Sequence, residues 1–192
     1  MNPPIHPVPR TYFGKYRGTV VENVDPLQIG RILAQVPAVL GLAQSNWAFP
    51  CVPAAGLQSG MFIVPPIGAQ VWIEFEAGNP DDPIWTGGFW GLVSEVPAAA
   101  ITPAAVPPGQ NIVLQTTLGC SITLSDATPS PTTGGIILRT AGGSTLVVND
   151  AGIFLSNGKG ATIQLLGPSI TFNQAATLVG DQWSPAPMSQ PE

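Results

Sequence analysis

The chain has 192 residues and a formal net charge of −5, with only six lysines and arginines. Charged residues make up 9% of it, against about 25% in an average globular protein, while 44% are apolar and Gly and Pro number 22 each. So few cations argue against a phosphate-neutralising nucleic-acid surface. The apolar content excludes a disordered chain, and no apolar run reaches the ~20 residues of a membrane-spanning helix.

Residues 1–12 are Pro-rich and read as an extended N-terminal arm. The stretch Met1–Pro7 lacks the charged and apolar regions of a secretory signal, so export by the general route is not expected. Residues 13–92 predict a compact all-β domain. Lys15–Val24 alternates and is rich in β-formers. Asp25-Pro26-Leu27-Gln28-Ile29-Gly30 is a turn, and Arg31–Val36 is the returning strand. Ala38–Ser45 reads as a short helical turn or a loop, and Trp47–Val52 as a third strand. Pro65-Pro66-Ile67-Gly68 launches Ala69–Glu76, where Val71, Ile73 and Phe75 alternate with Trp72, Glu74 and Glu76. An acidic turn follows, then Ile84–Gly91 as the fifth strand. Five short strands between Gly/Pro turns predict a small closed or nearly closed barrel.

Residues 93–110 carry four prolines among alanines and predict a semi-rigid linker. Residues 111–180 then hold a repeat. The phrase Gly-x-Ser/Thr-apolar-x-apolar begins at Gly119, Gly143 and Gly160, the last two 17 residues apart. It supplies the apolar pairs Ile122/Leu124, Leu146/Val148 and Ile163/Leu165. The companion pairs Ile136/Leu138, Ile153/Leu155 and Ile170/Phe172 also recur every 17 residues. The first unit is seven residues longer, the surplus lying at Ala127–Thr133. Each pair puts two apolar side chains on one face of a short strand. The other face carries Thr123, Val147, Phe154, Gln164 and Thr171. Such strands form a zigzag ribbon with unpaired edges and an apolar side, which alone would aggregate. Three intertwined chains would pair the edges and bury the apolar faces in a triangular prism. A single-chain β-helix is the competing solution, although its coils are usually longer, at about 20 residues or more. Scarce charge likewise favours an oligomer. Residues 181–192 read as a loose tail.

Sites of chemistry are few. Glu74, Glu76, Asp81 and Asp82 suit a strand face and a turn better than a glycosidase pair. Asp126 and Asp150 suit turns better than calcium ligands. Trp72, Trp85, Phe89 and Trp90 suit core and subunit contacts better than a stacking platform. Cys51 and Cys120 have no paired spacing and read as buried free thiols. No cofactor or metal is expected.

The segment from Pro66 to Gly87 resembles the OB-fold domain of contractile-tail spike proteins. These include phage baseplate assembly protein V, the central spikes of phage-tail-like particles and the valine-glycine repeat proteins of type VI secretion. The resemblance rests on Gly68, then Val71, Ile73, Phe75 and Gly78 on and after a strand, then Pro80, Asp81 and Pro83 in the turn, then Gly87 closing the next strand. Gly18–Val24, Asp25-Pro26 and Gly30-Arg31-Ile32 fit that family's opening hairpin. The repeat resembles the family's trimeric β-helix or β-prism. The resemblance implies a five-stranded OB-fold barrel at 13–92, followed by a trimeric needle at 111–180. It implies a homotrimer that meets baseplate hub proteins and the inner tube at the OB end and pierces a cell envelope when the sheath contracts. The setting it implies is a virion or phage-tail-like particle made in the bacterial cytoplasm. The linker is too short for the lysozyme domain some relatives carry. The lone His6 lies at the wrong end for an iron-binding tip. A separate tip protein meeting Thr177, Leu178 and Val179 is the alternative. A rival reading keeps the OB domain as a saccharide- or nucleic-acid-binding module on a β-stalk. Another, a β-helical carbohydrate enzyme, finds no support in the spacing of the carboxylates.

Overall fold

A computed structural model describes residues 10–101, 111–173, 176–179 and 182–185, the last two segments as backbone strands. Most of the expected arm at 1–12, much of the linker at 93–110, His6 and the end of the tail lie outside these residues. The chain divides into two compact units, Met1–Val93 and Ser94–Glu192. Among the described residues no helix is long and apolar enough to cross a membrane.

In the first unit, β1 (Tyr16–Glu22) and β2 (Leu33–Gln35) form an antiparallel hairpin around the Asp25–Gly30 turn. A four-residue helix, α1 (Pro37–Leu40), and the short β3 (Phe49–Pro50) follow. Next come a small hairpin of β4 (Ala55–Gly56) and β5 (Ser59–Gly60), then β6 (Gln70–Phe75) and β7 (Pro83–Gly88). The main sheet runs β2-β1-β6-β7-β3, with β3 parallel to β7. Its two edge strands meet at a single antiparallel bridge between Ile32 and Ala48, so the sheet curls nearly to closure, consistent with an OB fold.

Alternation explains the core. Val71, Ile73 and Phe75 point inward from β6 and join Val20, Ile32, Ala34, Val36, Ala48 and Trp85. Trp85 keeps its one polar atom satisfied by donating Nε1–H to the Gly30 carbonyl at 3.0 Å. Gly18 on β1 has no side chain because Ile73 packs there: a Cβ would lie 3.0 Å from Ile73 Cγ1.

The second unit is one antiparallel meander. Its strands are β8 (Asn111–Gln115), β9 (Ser121–Ser125), β10 (Gly135–Arg139), β11 (Thr145–Asn149), β12 (Gly152–Ser156), β13 (Thr162–Leu166), β14 (Ser169–Phe172), β15 (Ala176–Val179) and β16 (Gln182–Pro185). Each pairs only with its neighbours in sequence, in the order β16 to β8. The 17-residue period is two five-residue strands with a two-residue turn at Asp150-Ala151 and a five-residue turn at Asn157–Ala161.

The five-residue turns share one device. The first residue accepts the N–H of the fifth through its side chain: Cys120 to Thr116 Oγ1 at 3.1 Å, Ser144 to Thr140 Oγ1 at 3.1 Å, and Ala161 to Asn157 Oδ1 at 3.0 Å. Its backbone N–H donates to the fifth carbonyl in all three. The repeated Gly119, Gly143 and Gly160 sit just before that fifth residue at φ between 89° and 101°, a conformation Gly adopts without steric cost.

Two expectations are corrected. The ribbon's strand ladders form within one chain rather than by pairing edges between chains, and antiparallel pairing rules out a single-chain β-helix over these strands. Cys51 and Cys120 are exposed, not buried: Cys120 falls in a five-residue turn, and Cys51 follows the two-residue β3 where the chain leaves the sheet.

Candidate functional site

Registration of the meander aligns its apolar pairs into two continuous rows. One row is Ile112, Leu124, Ile136, Val148, Ile153, Leu165 and Ile170; the other is Leu114, Ile122, Leu138, Leu146, Leu155, Ile163 and Phe172. Since side chains alternate across a strand, both rows lie on one face of the sheet. All twelve repeat residues named from the sequence fall in them. Nine of the twelve are at least 36% exposed in the single chain, Ile136 reaching 49%. Two further members, Ile112 and Leu114 on β8, are 62% and 57% exposed. The sequence reading missed them because β8 precedes the first glycine phrase, yet their own Ile-x-Leu alternation is the same signal.

A contiguous apolar face of this extent, uncharged and largely exposed, marks an interface. Covering it would remove from water the 36–49% of surface that nine of these repeat residues expose. At ~1 kcal/mol apiece, the twelve repeat residues would gain on the order of 10 kcal/mol per chain before entropic costs.

The opposite face is built differently. Its central row runs Val113, Thr123, Ile137, Val147, Phe154, Gln164 and Thr171. Val147, Phe154 and Thr123 are buried. The extra loop before β10 accounts for its distinct character: Asn149 on β11 donates its Nδ2–H groups to the carbonyls of Ser130 at 2.8 Å and Thr133 at 3.0 Å. This draws Pro131 and Thr132 beside Phe154. The seven surplus residues therefore shelter the apolar part of this row, and the units after them, which carry Gln164 and Thr171, have no such loop.

The sequence-predicted tip residues Thr177, Leu178 and Val179 lie on β15, opposite Thr171, Ile170 and Ser169. In the first unit the motif residues divide by role. Val71, Ile73, Phe75 and Pro83 are buried, and Gly68, Gly78 and Gly87 take φ of 85°, 78° and 128° at turns and a strand irregularity. Gly78 is packed so closely that a Cβ would stand 3.0 Å from Thr11 Cβ. Pro80 and Asp81 form the turn, where Asn79 Oδ1 accepts the Asp81 N–H at 3.2 Å.

One buried ion pair organises the opening hairpin. Asp25 Oδ1 accepts Nη2–H and Nε–H of Arg31 at 2.7 and 3.0 Å, and its two oxygens also accept the N–H groups of Leu27, Ile29 and Arg31. Arg31 in turn lies 5.4 Å from the Trp47 ring and 5.6 Å from that of Phe49. The guanidinium first, then the three N–H groups, hold the Asp25 carboxyl well below the usual carboxylate range against the opposing effect of burial. A depressed pKa contributes stability that is complete above the ordinary value of ~4 and drains away as pH falls below it. Asp25→Asn should therefore destabilise the first unit at neutral pH by more than Asp82→Asn at the exposed turn. The gap from wild type should shrink as pH is lowered through ~4. Urea unfolding at stepped pH checks this; a gap independent of pH would remove the assigned role of the charge.

Among the carboxylates, Glu74 pairs with the exposed Lys15 at 2.8 Å, while Glu76 starts a 3-10 turn. Of the aromatics, Trp85 belongs to the core. Trp72 and Phe89 pack 4.7 Å apart with Arg17 over both rings, and Trp90 is exposed. Among the described residues no three His, Cys, Asp or Glu side chains converge as a metal site.

Comparison with known families places both units. A family model described as the type VI secretion system/phage-baseplate injector OB domain matches residues 16–90. A second, the phage baseplate V C-terminal trimerisation domain, matches residues 111–178. No curated protein matches the chain.

Proposed function

This chain belongs to the baseplate spike family defined by an injector OB domain and a C-terminal trimerisation domain, and from that premise we propose that it is the central spike of a contractile tail. The family is a structural one of phage and type VI secretion baseplates, not an enzyme family. The spike is a homotrimeric needle that attaches to the hub and pierces the target envelope on sheath contraction. The observation that carries this reading is the uncovered pair of apolar rows on a sheet within the matched trimerisation domain.

Three copies would turn those faces toward a common axis and form a β-prism. The needle core would comprise Ile122, Leu124, Ile136, Leu138, Leu146, Val148, Ile153, Leu155, Ile163, Leu165, Ile170 and Phe172, extended by Ile112 and Leu114. Each chain brings its own hydrogen-bonded ladders, so the trimer closes through faces rather than edges. Axial force would then load many ladder bonds at once, and the needle would yield only if they broke together. The OB unit at 13–92 would meet the hub and inner tube, and Thr177, Leu178 and Val179 a separate tip protein.

Gold-labelled antibody against residues 94–192, viewed on intact particles, tests this. Label should lie at the baseplate on the tail axis. Label along the sheath or at the opposite end of the particle would overturn the assignment.

A further inference from the structure

The face opposite the apolar rows carries a polar row that the spike role does not use. Registered across neighbouring strands stand Ser121, Arg139, Thr145, Ser156 and Thr162. Arg139, Gly143, Thr145, Phe154, Ser156, Thr162 and Gln164 line a groove whose other wall is Pro131 and Thr132. The floor is the buried ring of Phe154. Among the described residues neither Arg139 nor the hydroxyls of Thr145 and Thr162 have a side-chain partner within the protein. A guanidinium is a fork of five N–H donors suited to carboxylate or phosphate.

We propose that this groove binds an anionic oligosaccharide, its carboxylate or phosphate on Arg139 and its hydroxyls along Thr145, Ser156 and Thr162. The shape separates this from a simple anion site. From Arg139 to Thr162 the row crosses four strands, about 14 Å at the usual strand spacing, so it offers far more length than one ion occupies. The absence of acidic side chains from the lining keeps an anion from being repelled. The site lies on one chain. Within a trimer it faces solvent only if the apolar rows point inward, so its use in the assembled spike rests on the assembly reading above.

Calorimetric titration of the full-length protein tests it, with sedimentation of the same samples reporting assembly. The probes are trigalacturonate, a hexose phosphate and the neutral galacto-oligosaccharide of equal length. The expected result is binding of the carboxylated or the phosphorylated sugar, which tells the two anion sources apart, with the neutral one at least tenfold weaker. Arg139→Gln should cost tenfold or more, and Thr145→Val a smaller factor, with the trimer intact in both. Binding by wild type with no trimer would support the groove while overturning the assembly reading. No heat with either charged sugar, or equal binding by Arg139→Gln, would overturn the proposal.

Discussion

Leu155→Asp should convert the trimer to monomer. Leu155 lies mid-strand in β12, flanked across the sheet by Leu146 and Ile163, so in a face-to-face assembly its carboxylate would have no polar neighbour. Three copies would bring three such charges toward one axis. Burying an unpaired carboxylate costs several kcal/mol even after relaxation. The repeat residues together offer only on the order of 10 kcal/mol per chain from apolar burial. Association should weaken by at least about 3 kcal/mol per chain, more than a hundredfold. The control is Ser121→Asp, which places the same charge on the opposite face next to Ile122 in sequence. It should leave the assembly unchanged. Sedimentation velocity separates the two outcomes. Equal loss of trimer from both variants would mean that the opposite face also packs between chains; loss from Ser121→Asp alone would reverse the assignment of faces.

Ile73→Ala should cost the first unit about 2–5 kcal/mol, the usual range for emptying a fully buried large aliphatic site. Ile73 is 0% exposed and packs on the bare backbone of Gly18. Rigid β-strands cannot collapse into the space, so the upper half of that range is expected. For a unit of this size the loss corresponds to a fall of about 10 °C or more in melting temperature. Trp85 shares the core and reports the transition by fluorescence. Because the apolar rows belong to the other unit, the sedimentation mass should not change. A mass that dropped along with the melting temperature would mean that the first unit carries the association.

These expectations rest on features that differ in how plainly the sequence displays them. Val71, Ile73 and Phe75 announce their strand because alternation is a local signal, and the same signal picks out Ile153/Leu155 and its counterparts as one face. The turn at Asp25 is readable from its Pro and Gly; the five-fold bonding of the carboxylate is not, since it depends on where Arg31 returns in space. The parallel pairing of β3 with β7 was equally hidden. It joins residues far apart in sequence through a two-residue strand, and backbone hydrogen bonds leave no mark on side-chain composition. For that reason the repeat did not reveal whether its ladders close within one chain or between three. The role of Ala127–Thr133 emerged only with Asn149, whose amide reaches the loop from β11. Thr116, Thr140 and Asn157 do recur at the head of each five-residue turn, yet Thr and Asn differ in type, so a search for identical residues passes over them.

What covers the two apolar rows decides how the protein assembles. The most direct measurement is the absolute mass of the wild-type protein by light scattering coupled to gel filtration. A homotrimer, three times the 19.9 kDa chain, is the predicted result. A stable species of 19.9 kDa would contradict it, for it would leave Ile122, Ile136, Leu155 and their row-mates facing water.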